Sequence, residues 1–271
     1  MMLRVELLII GNEILSGHTL DTNSQWLAQR LLELSLPVQQ MQVIEDNIEV
    51  IVNAIRACLE RQTTLLITTG GLGPTFDDLT AKGLALALEA PLELHPQALA
   101  MVTDRYNTLK RQGLVESSAI SSARKKMANL PHGAEPLPNS VGTAPGIHIQ
   151  QNTTHIYCLP GVPQELYAIF MEAVAPRIAL LTKKVVVQRT IQVPILDESV
   201  LAPLLDKVLA SSQDVYLKSL PRPYQSRLPL RVSVTATAST KTQAKSQLLA
   251  TINTLQELAK RNRQTQLQLD D

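Results

Sequence analysis

The 271 residues are 45% hydrophobic and 18% charged, so the chain can bury a sizeable core in one large domain or two, and a soluble globular protein is expected. A formal net charge of +1 supplies no long-range field for nucleic acid or anionic lipid, so an anionic substrate has to be held by local groups. No apolar stretch is long enough to span a bilayer, and the first apolar run carries Arg4 and Glu6 and reaches Gly11 too soon for a signal peptide, so the expectation is a cytoplasmic protein with no membrane partner.

In chain order, Val5 to Ile10 reads as a buried strand ended by Gly11-Asn12-Glu13-Ile14-Leu15-Ser16-Gly17. Asp21-Thr22-Asn23-Ser24 then supplies capping residues for a helix whose Leu27, Leu31 and Leu34 share a face, with Trp26 nearby. Pro37 opens a second strand through Ile44, and Ile48, Ile51, Val52, Ile55 and Leu59 line one side of the next helix. Cys58 on that helical face and Cys158 inside Ile156-Tyr157-Cys158-Leu159 have no paired spacing and read as buried thiols.

The third strand, from Leu65 to Thr68, breaks at once into Thr69-Gly70-Gly71-Leu72-Gly73-Pro74-Thr75-Phe76-Asp77-Asp78, and a helix begins near Leu79. Glycines let backbone N–H groups approach a ligand, and a helix N-terminus adds partial positive charge, so this loop suits a phosphate. Asp77 or Asp78 could cap the helix, but two carboxylates beside a phosphate would repel it unless a cation lies between them. Strand and helix thus alternate three times, which predicts an α/β fold: a three-layer αβα, mostly parallel sheet with ligands beyond the carboxyl ends of its strands.

A long polar helical region is predicted from Pro96 to Met127, with Tyr106, Lys110, Arg111, Arg124, Lys125 and Lys126. Another glycine loop, Asn139-Ser140-Val141-Gly142-Thr143-Ala144-Pro145-Gly146, leads into strands near Ile147 and from Ile156. The turn Pro160-Gly161-Val162-Pro163-Gln164-Glu165 then opens a helix with Leu166, Ile169, Phe170, Ala173 and Val174 inward. Beyond Pro176 no glycine occurs, and the pattern becomes strand (Val185 to Val193), helix (Ser199 to Leu209), strands (Val215 to Leu217, Leu230 to Thr237) and a helix facing inward through Ala244, Leu248, Ile252 and Leu255. The reading is a first domain over 1–177, a smaller α+β domain over 183–262, and a Gln-rich tail that frays from Arg261.

Five motifs carry a family resemblance: Gly11-Asn12-Glu13-Ile14-Leu15 with Gly17; Asp21-Thr22-Asn23; Gly70-Gly71-Leu72-Gly73-Pro74-Thr75 with Asp77, Asp78 and Thr80; Gly142-Thr143-Ala144-Pro145-Gly146; and Pro160-Gly161-Val162-Pro163 with Glu165. Together they resemble the competence- and damage-inducible CinA family, in its molybdopterin-binding-like amino-terminal domain followed by a small KH-like domain, without the nicotinamide-mononucleotide deamidase domain of longer members. The resemblance implies a metal-dependent ADP-ribose pyrophosphatase yielding AMP and ribose 5-phosphate, with pterin-nucleotide binding or adenylyl transfer in molybdenum cofactor synthesis as one alternative and a silent phospho-ligand module as another. It implies Asp78, Asp77 and Lys126 as catalytic groups. Substrate contacts fall on Gly11, Asn12, Glu13, Asn23, Gly70, Gly71, Leu72, Gly73, Pro74, Thr75, Gly142, Thr143, Gly146, Pro160, Gly161 and Glu165. A divalent ion (Mg, Mn or Co) on Asp78 and Glu13, a phosphorylated small-molecule substrate and a homodimer complete the expectation. Two positions depart from the family pattern: Asn12 stands where Asp is usual, and Met127 where a glutamine amide is usual.

The other candidates have plain readings. His18, His95, His132, His148 and His155 are scattered without ligand spacing, and Trp26, Tyr106 and Tyr157 read as core or groove-lining residues, any of which could stack an adenine. A KH-like domain suggests RNA, but that recognition clamps the backbone with a Gly-x-x-Gly loop, and the second domain has no glycine. No nucleic-acid partner is expected.

Overall fold

The structure, a computed structural model, describes residues 3–221 and 228–269, with side chains as far as residue 262. The chain forms two compact units, Met1–Leu32 with Leu36–Thr182, and Glu33–Ser35 with Lys183–Asp271.

The first unit begins with β1 (Val5–Ile10), α1 (Asn12–Leu15), α2 (Thr22–Glu33), β2 (Gln40–Ile44), α3 (Ile48–Glu60), β3 (Leu65–Thr69) and α4 (Thr80–Ala87). It continues through β4 (Leu92–Leu94), α5 (Pro96–Arg111), α6 (Ser122–Lys126), β5 (Asn129–Pro131), β6 (Glu135–Leu137), β7 (Gly146–Gln151) and β8 (Thr154–Leu159). α7 (Pro163–Ile169) and α8 (Ala175–Ile178) close it, joined by a widened π turn over Phe170–Val174. Pro176 lies just past that turn, and a proline that cannot donate and crowds the carbonyl four residues back explains why the helix widens there.

The six-stranded sheet has the order β2-β1-β3-β8-β7-β6, parallel through β2, β1, β3 and β8, antiparallel for β7 and β6. Every residue of β1 and β3 is buried, as expected of strands covered on both faces. One face packs Leu8, Ile10, Leu66, Ile156 and Cys158 against Ile51 and Ile55 of α3, Leu84 of α4 and Val102 of α5. The alternate face carries the buried Leu7, Ile9, Ile67 and Tyr157. There the α2 residue Trp26 stacks on Tyr167, with ring centroids 4.2 Å apart, and meets Phe170 edge-on. Asn47 caps α3, its Oδ1 accepting from the N–H groups of Glu49 and Val50. His95 caps α5 through Nδ1, with Pro96 in the first turn.

Burial pushes both thiols, Cys58 and Cys158, up to about 12, helped at Cys58 by the charge of Glu6, so neither is a nucleophile at neutral pH.

The second unit comprises β9 (Val185–Val193), α9 (Glu198–Ala210), β10 (Val215–Leu220), β11 (Leu230–Ala238) and α10 (Lys241–Leu269), with an antiparallel sheet in the order β10-β11-β9. Its core joins Val193, Val232 and Val234 to Leu201 and Val208 of α9 and Leu248, Ile252 and Leu255 of α10.

Three sequence expectations are corrected. The helical region from Pro96 to Met127 is broken after Arg111: the chain turns at Gly113, Leu114 N–H bonds back to Leu109 O at 3.0 Å, and α6 restarts under a Ser121 cap. β2 starts at Gln40 rather than Pro37. The terminal helix runs on to Leu269 instead of fraying from Arg261, while Asp270 and Asp271 lie outside the described residues. β4, β5 and β6 are each three residues long, too short for periodicity to reveal.

Candidate active site at the carboxyl edge of the sheet

The loop after β3 is built by backbone contact. Gly70 has φ +95°, and a Cβ there would sit 2.1 Å from the carbonyl oxygen of Ile10 at the end of β1. Its carbonyl accepts from Thr80 Oγ1 at 2.8 Å, and Thr80 N–H donates to Gly71 O at 3.0 Å, so the start of α4 is stitched to the glycines. The sequence reading offers all the N–H groups from Gly70 to Thr75 to a ligand. In the structure Gly70 N–H already donates to Leu159 O at 3.0 Å and Thr75 N–H to Asp78 Oδ2 at 2.8 Å. Among the described residues this leaves the N–H groups of Gly71, Leu72 and Gly73.

Asp77 and Asp78 do not cap α4, whose N-cap is Leu79 without a side-chain bond. Both turn back on Thr75: its hydroxyl lies against Asp77 Oδ1 and 2.6 Å from Asp78 Oδ2. A hydroxyl has one proton, so only one of these carboxylates can be served at a time. Lys126 closes the other side, with Nζ donating to Thr75 O. The Thr75 hydroxyl, the Asp77 backbone N–H and the Lys126 charge together hold the Asp77 carboxyl below the usual carboxylate range. Three oxygens, from Thr75, Asp77 and Asp78, therefore converge with surplus negative charge, a donor set that suits a hard divalent cation.

Asp78 lines a cavity of about 90 Å³ with Gly71, Gly73, Lys82, Lys126 and Met127. Glu13, the other expected metal ligand, lies elsewhere: it lines a cavity of about 130 Å³ with Asp21, Asn23, Thr69, Gly70 and Gly161. The Gly70–Gly71 step separates the two, and among the described residues no group of three or more His, Cys, Asp or Glu side chains converges. The pairing of Glu13 with Asp78 is thus corrected. Asn12 lines neither cavity and pairs with the loop after β2: its N–H donates to Asp46 Oδ2 at 2.8 Å, and Asp46 N–H to its Oδ1 at 3.4 Å.

The remaining motifs support the edge. Asn23 Nδ2 donates to Gly161 O at 2.8 Å, fixing the turn that starts at Pro160. Glu165 Oε2 accepts from Asn139 Nδ2 at 2.7 Å and lies over Gly142, where a Cβ would sit 1.8 Å from it. Asn139 Oδ1 accepts from Val141 and Gly142 N–H, and Thr143 Oγ1 touches Met127 Sδ at 3.8 Å. Pro145 lines the Asp78 cavity, while Gly146 opens β7 behind it. Leu72 is buried below the loop, and Pro74 is exposed at its crest.

Asp46 and Lys82 escaped the sequence reading, which had placed Thr80 and Asn139 in motifs without giving either a role. Asp46 carried a usable signal, since it lies in the loop just past β2 at the sheet edge; Lys82 looked like an ordinary helix residue. None of the three aromatics named for stacking is free for it, whereas Phe76, within the loop itself, is 91% exposed. Trp26 is engaged by Tyr167, Tyr157 is buried, and Tyr106 is covered by Arg124, whose Cζ lies 3.6 Å from the ring centroid. Arg124 also donates to the carbonyls of Ser117 and Ala119, so it organises the α5–α6 connection.

Residues 6–180 match the family model described as probable molybdopterin binding domain. The chain belongs to this family. A molybdopterin-binding-type domain therefore spans nearly all of the first unit and holds both cavities. The chain is 41% identical over 248 residues to a protein of Aeropyrum pernix, covering 91% of this chain and 90% of that one, and 41% identical over 217 residues to a protein of Pyrococcus furiosus, covering 80% and 84%. Among solved structures it is similar to the protein CinA, of unknown function, from Thermoplasma acidophilum: TM-score 0.57, 34% identity, 62% of this chain and 94% of that one. The protein is CinA-like in this domain. Among the described residues no helix is long and apolar enough to cross a membrane.

Proposed function

We propose that the molybdopterin-binding-type domain takes a phosphorylated pterin of the molybdopterin class, with its phosphate on the Gly71–Gly73 backbone. The observation that carries this reading is the set of unused N–H groups at Gly71, Leu72 and Gly73 in one cavity with Lys82 and Lys126, on a family-matched scaffold. Each cavity is small against the several hundred Å³ of a full ligand pocket, so the ligand crosses the Gly70–Gly71 step and extends toward Asn23 and Glu13. A divalent ion held by Thr75, Asp77 and Asp78 would neutralise phosphoryl charge, and Lys126 would supply a second, fixed positive charge.

A second reading, hydrolysis of ADP-ribose and like diphosphates, rests on the acidic cluster of Asp77 and Asp78 around Thr75 beside the loop. In it, water adds to one phosphorus of the diphosphate, the bridging P–O bond breaks, and AMP and ribose 5-phosphate leave. Asp78 would orient that water, while the loop N–H groups receive the growing oxygen charge.

Titration separates the readings. The pterin phosphate should bind, Lys126→Ala should weaken it about tenfold, roughly 1.4 kcal/mol, and the dephosphorylated pterin should bind both proteins alike. Equal affinities of wild type and variant for the phosphorylated ligand would overturn the placement. Release of AMP from ADP-ribose with Mg, Mn or Co, lost in Asp78→Ala, would instead establish the hydrolase; binding of either ligand without turnover or adenylyl transfer would leave a silent module.

A further inference from the structure

Away from the glycine loop, the β7–β8 hairpin presents two histidines on one face. The register pairs His148 with Tyr157 and Gln150 with His155, so His148 and His155 are diagonal neighbours across an antiparallel pair, within reach of each other's side chains. Their ring nitrogens, His148 Nε2 and His155 Nδ1, face one another at 3.3 Å, and the rings are parallel within 8°. Two imidazole nitrogens on one tetrahedral ion at about 2.0–2.1 Å each are roughly 3.3–3.4 Å apart. We propose that this hairpin holds a divalent transition-metal ion of the zinc class through His148 Nε2 and His155 Nδ1.

The surroundings fit that role. Tyr157 stacks on His148 at 4.4 Å, fixing the ring plane. On the far side, His148 Nδ1 lies 3.5 Å from Glu135 Oε2, and Arg177 holds that carboxylate with two bonds of 2.7 Å. A carboxylate behind a ligating histidine keeps the proton on Nδ1 and leaves Nε2 as the lone-pair donor. Burial lowers the affinity of both imidazoles for protons, so both are neutral at pH 7, as ligation requires. His155 needs only to carry its proton on Nε2. Both rings are partly exposed, which lets water or an exogenous donor fill the other coordination positions. His155 lies at the amino end of β8, whereas the glycine-loop site lies past its carboxyl end, so the site is separate from the one proposed for phosphate. Nitrogen donors select zinc, nickel or copper over magnesium.

The test is calorimetry on the untagged full chain after stripping with a chelator. One Zn²⁺ per chain should bind, Mg²⁺ should not compete, and His155→Gln should weaken zinc at least tenfold while its metal-free melting temperature stays near wild type. In wild-type protein with ¹⁵N-labelled histidine, zinc should move the His148 Nε2 and His155 Nδ1 resonances, a readout that needs no variant. No binding, unchanged affinity in His155→Gln, or shifts confined to His18, His95 and His132 would overturn the proposal.

Discussion

Gly70→Ala is expected to destabilise the first unit by about 3 kcal/mol or more, lowering its melting temperature by roughly 6–12 °C. The added Cβ would meet Ile10 O at 2.1 Å. That oxygen cannot withdraw, because Ile10 is held in register with Ile44 of β2. Gly17 provides the internal control: its φ is also positive, at +73°, but nothing lies within 4 Å of its Cβ position. Gly17→Ala should therefore cost only the backbone preference, about 1 kcal/mol. The single tryptophan, Trp26, sits in α2 of the first unit and reports its unfolding by fluorescence. If the two variants melt together, the close approach of the β1 and β3 ends is not what fixes this loop.

That comparison also shows which layer of the site was legible in the sequence. The strand–glycine–acid–helix order at Leu65 to Thr80 is local, and local patterns announce a loop at the carboxyl edge of a parallel sheet. The family likeness carried the same region to a molybdopterin-type domain. Hydrogen-bond partners are another matter, because they depend on which carbonyl or carboxylate reaches a group first. Thr75 looked like a ligand donor and is spent on Asp78; Glu13, expected beside Asp78 only as a second metal-site carboxylate, lies across the Gly70–Gly71 step. The same limit applies to the fold. β1 and β3 declare themselves by apolar runs, whereas β4 and β5 exist through pairing, Leu92 to Pro131 and Leu94 to Asn129, across nearly forty residues of chain. The break in α5–α6 rests on Arg124 reaching the Ser117 and Ala119 carbonyls, which helical periodicity does not register.

Glu6→Gln should remove a comparable share of stability at neutral pH and should do so with a distinctive acid dependence. Glu6, the second residue of β1, is 2% exposed. Burial alone would raise its pKa, but bonds from Arg61, Arg4, Thr63 and Cys58 outweigh it and hold the carboxyl down at about 2 from an ordinary 4.5. Arg61 contributes Nε at 3.1 Å and Nη2 at 2.6 Å, and Thr63 Oγ1 donates at 2.7 Å. A folded-state pKa below the unfolded value means that the carboxylate stabilises the fold above about pH 4.5 and loses that contribution as pH falls through 4.5 toward 2. A shift of this size corresponds to about 3 kcal/mol, and removing one partner of a buried charge cluster costs a similar amount. Arg61 and Arg4 are 30% and 37% exposed, so they can turn to water in the variant, which keeps the loss near the lower end of that range. Denaturant midpoints read by Trp26 fluorescence should thus differ widely between wild type and Glu6→Gln at pH 7 and converge as the pH approaches 2. A gap that stays constant from pH 7 to pH 2 would show that Glu6 acts by packing and not by its charge.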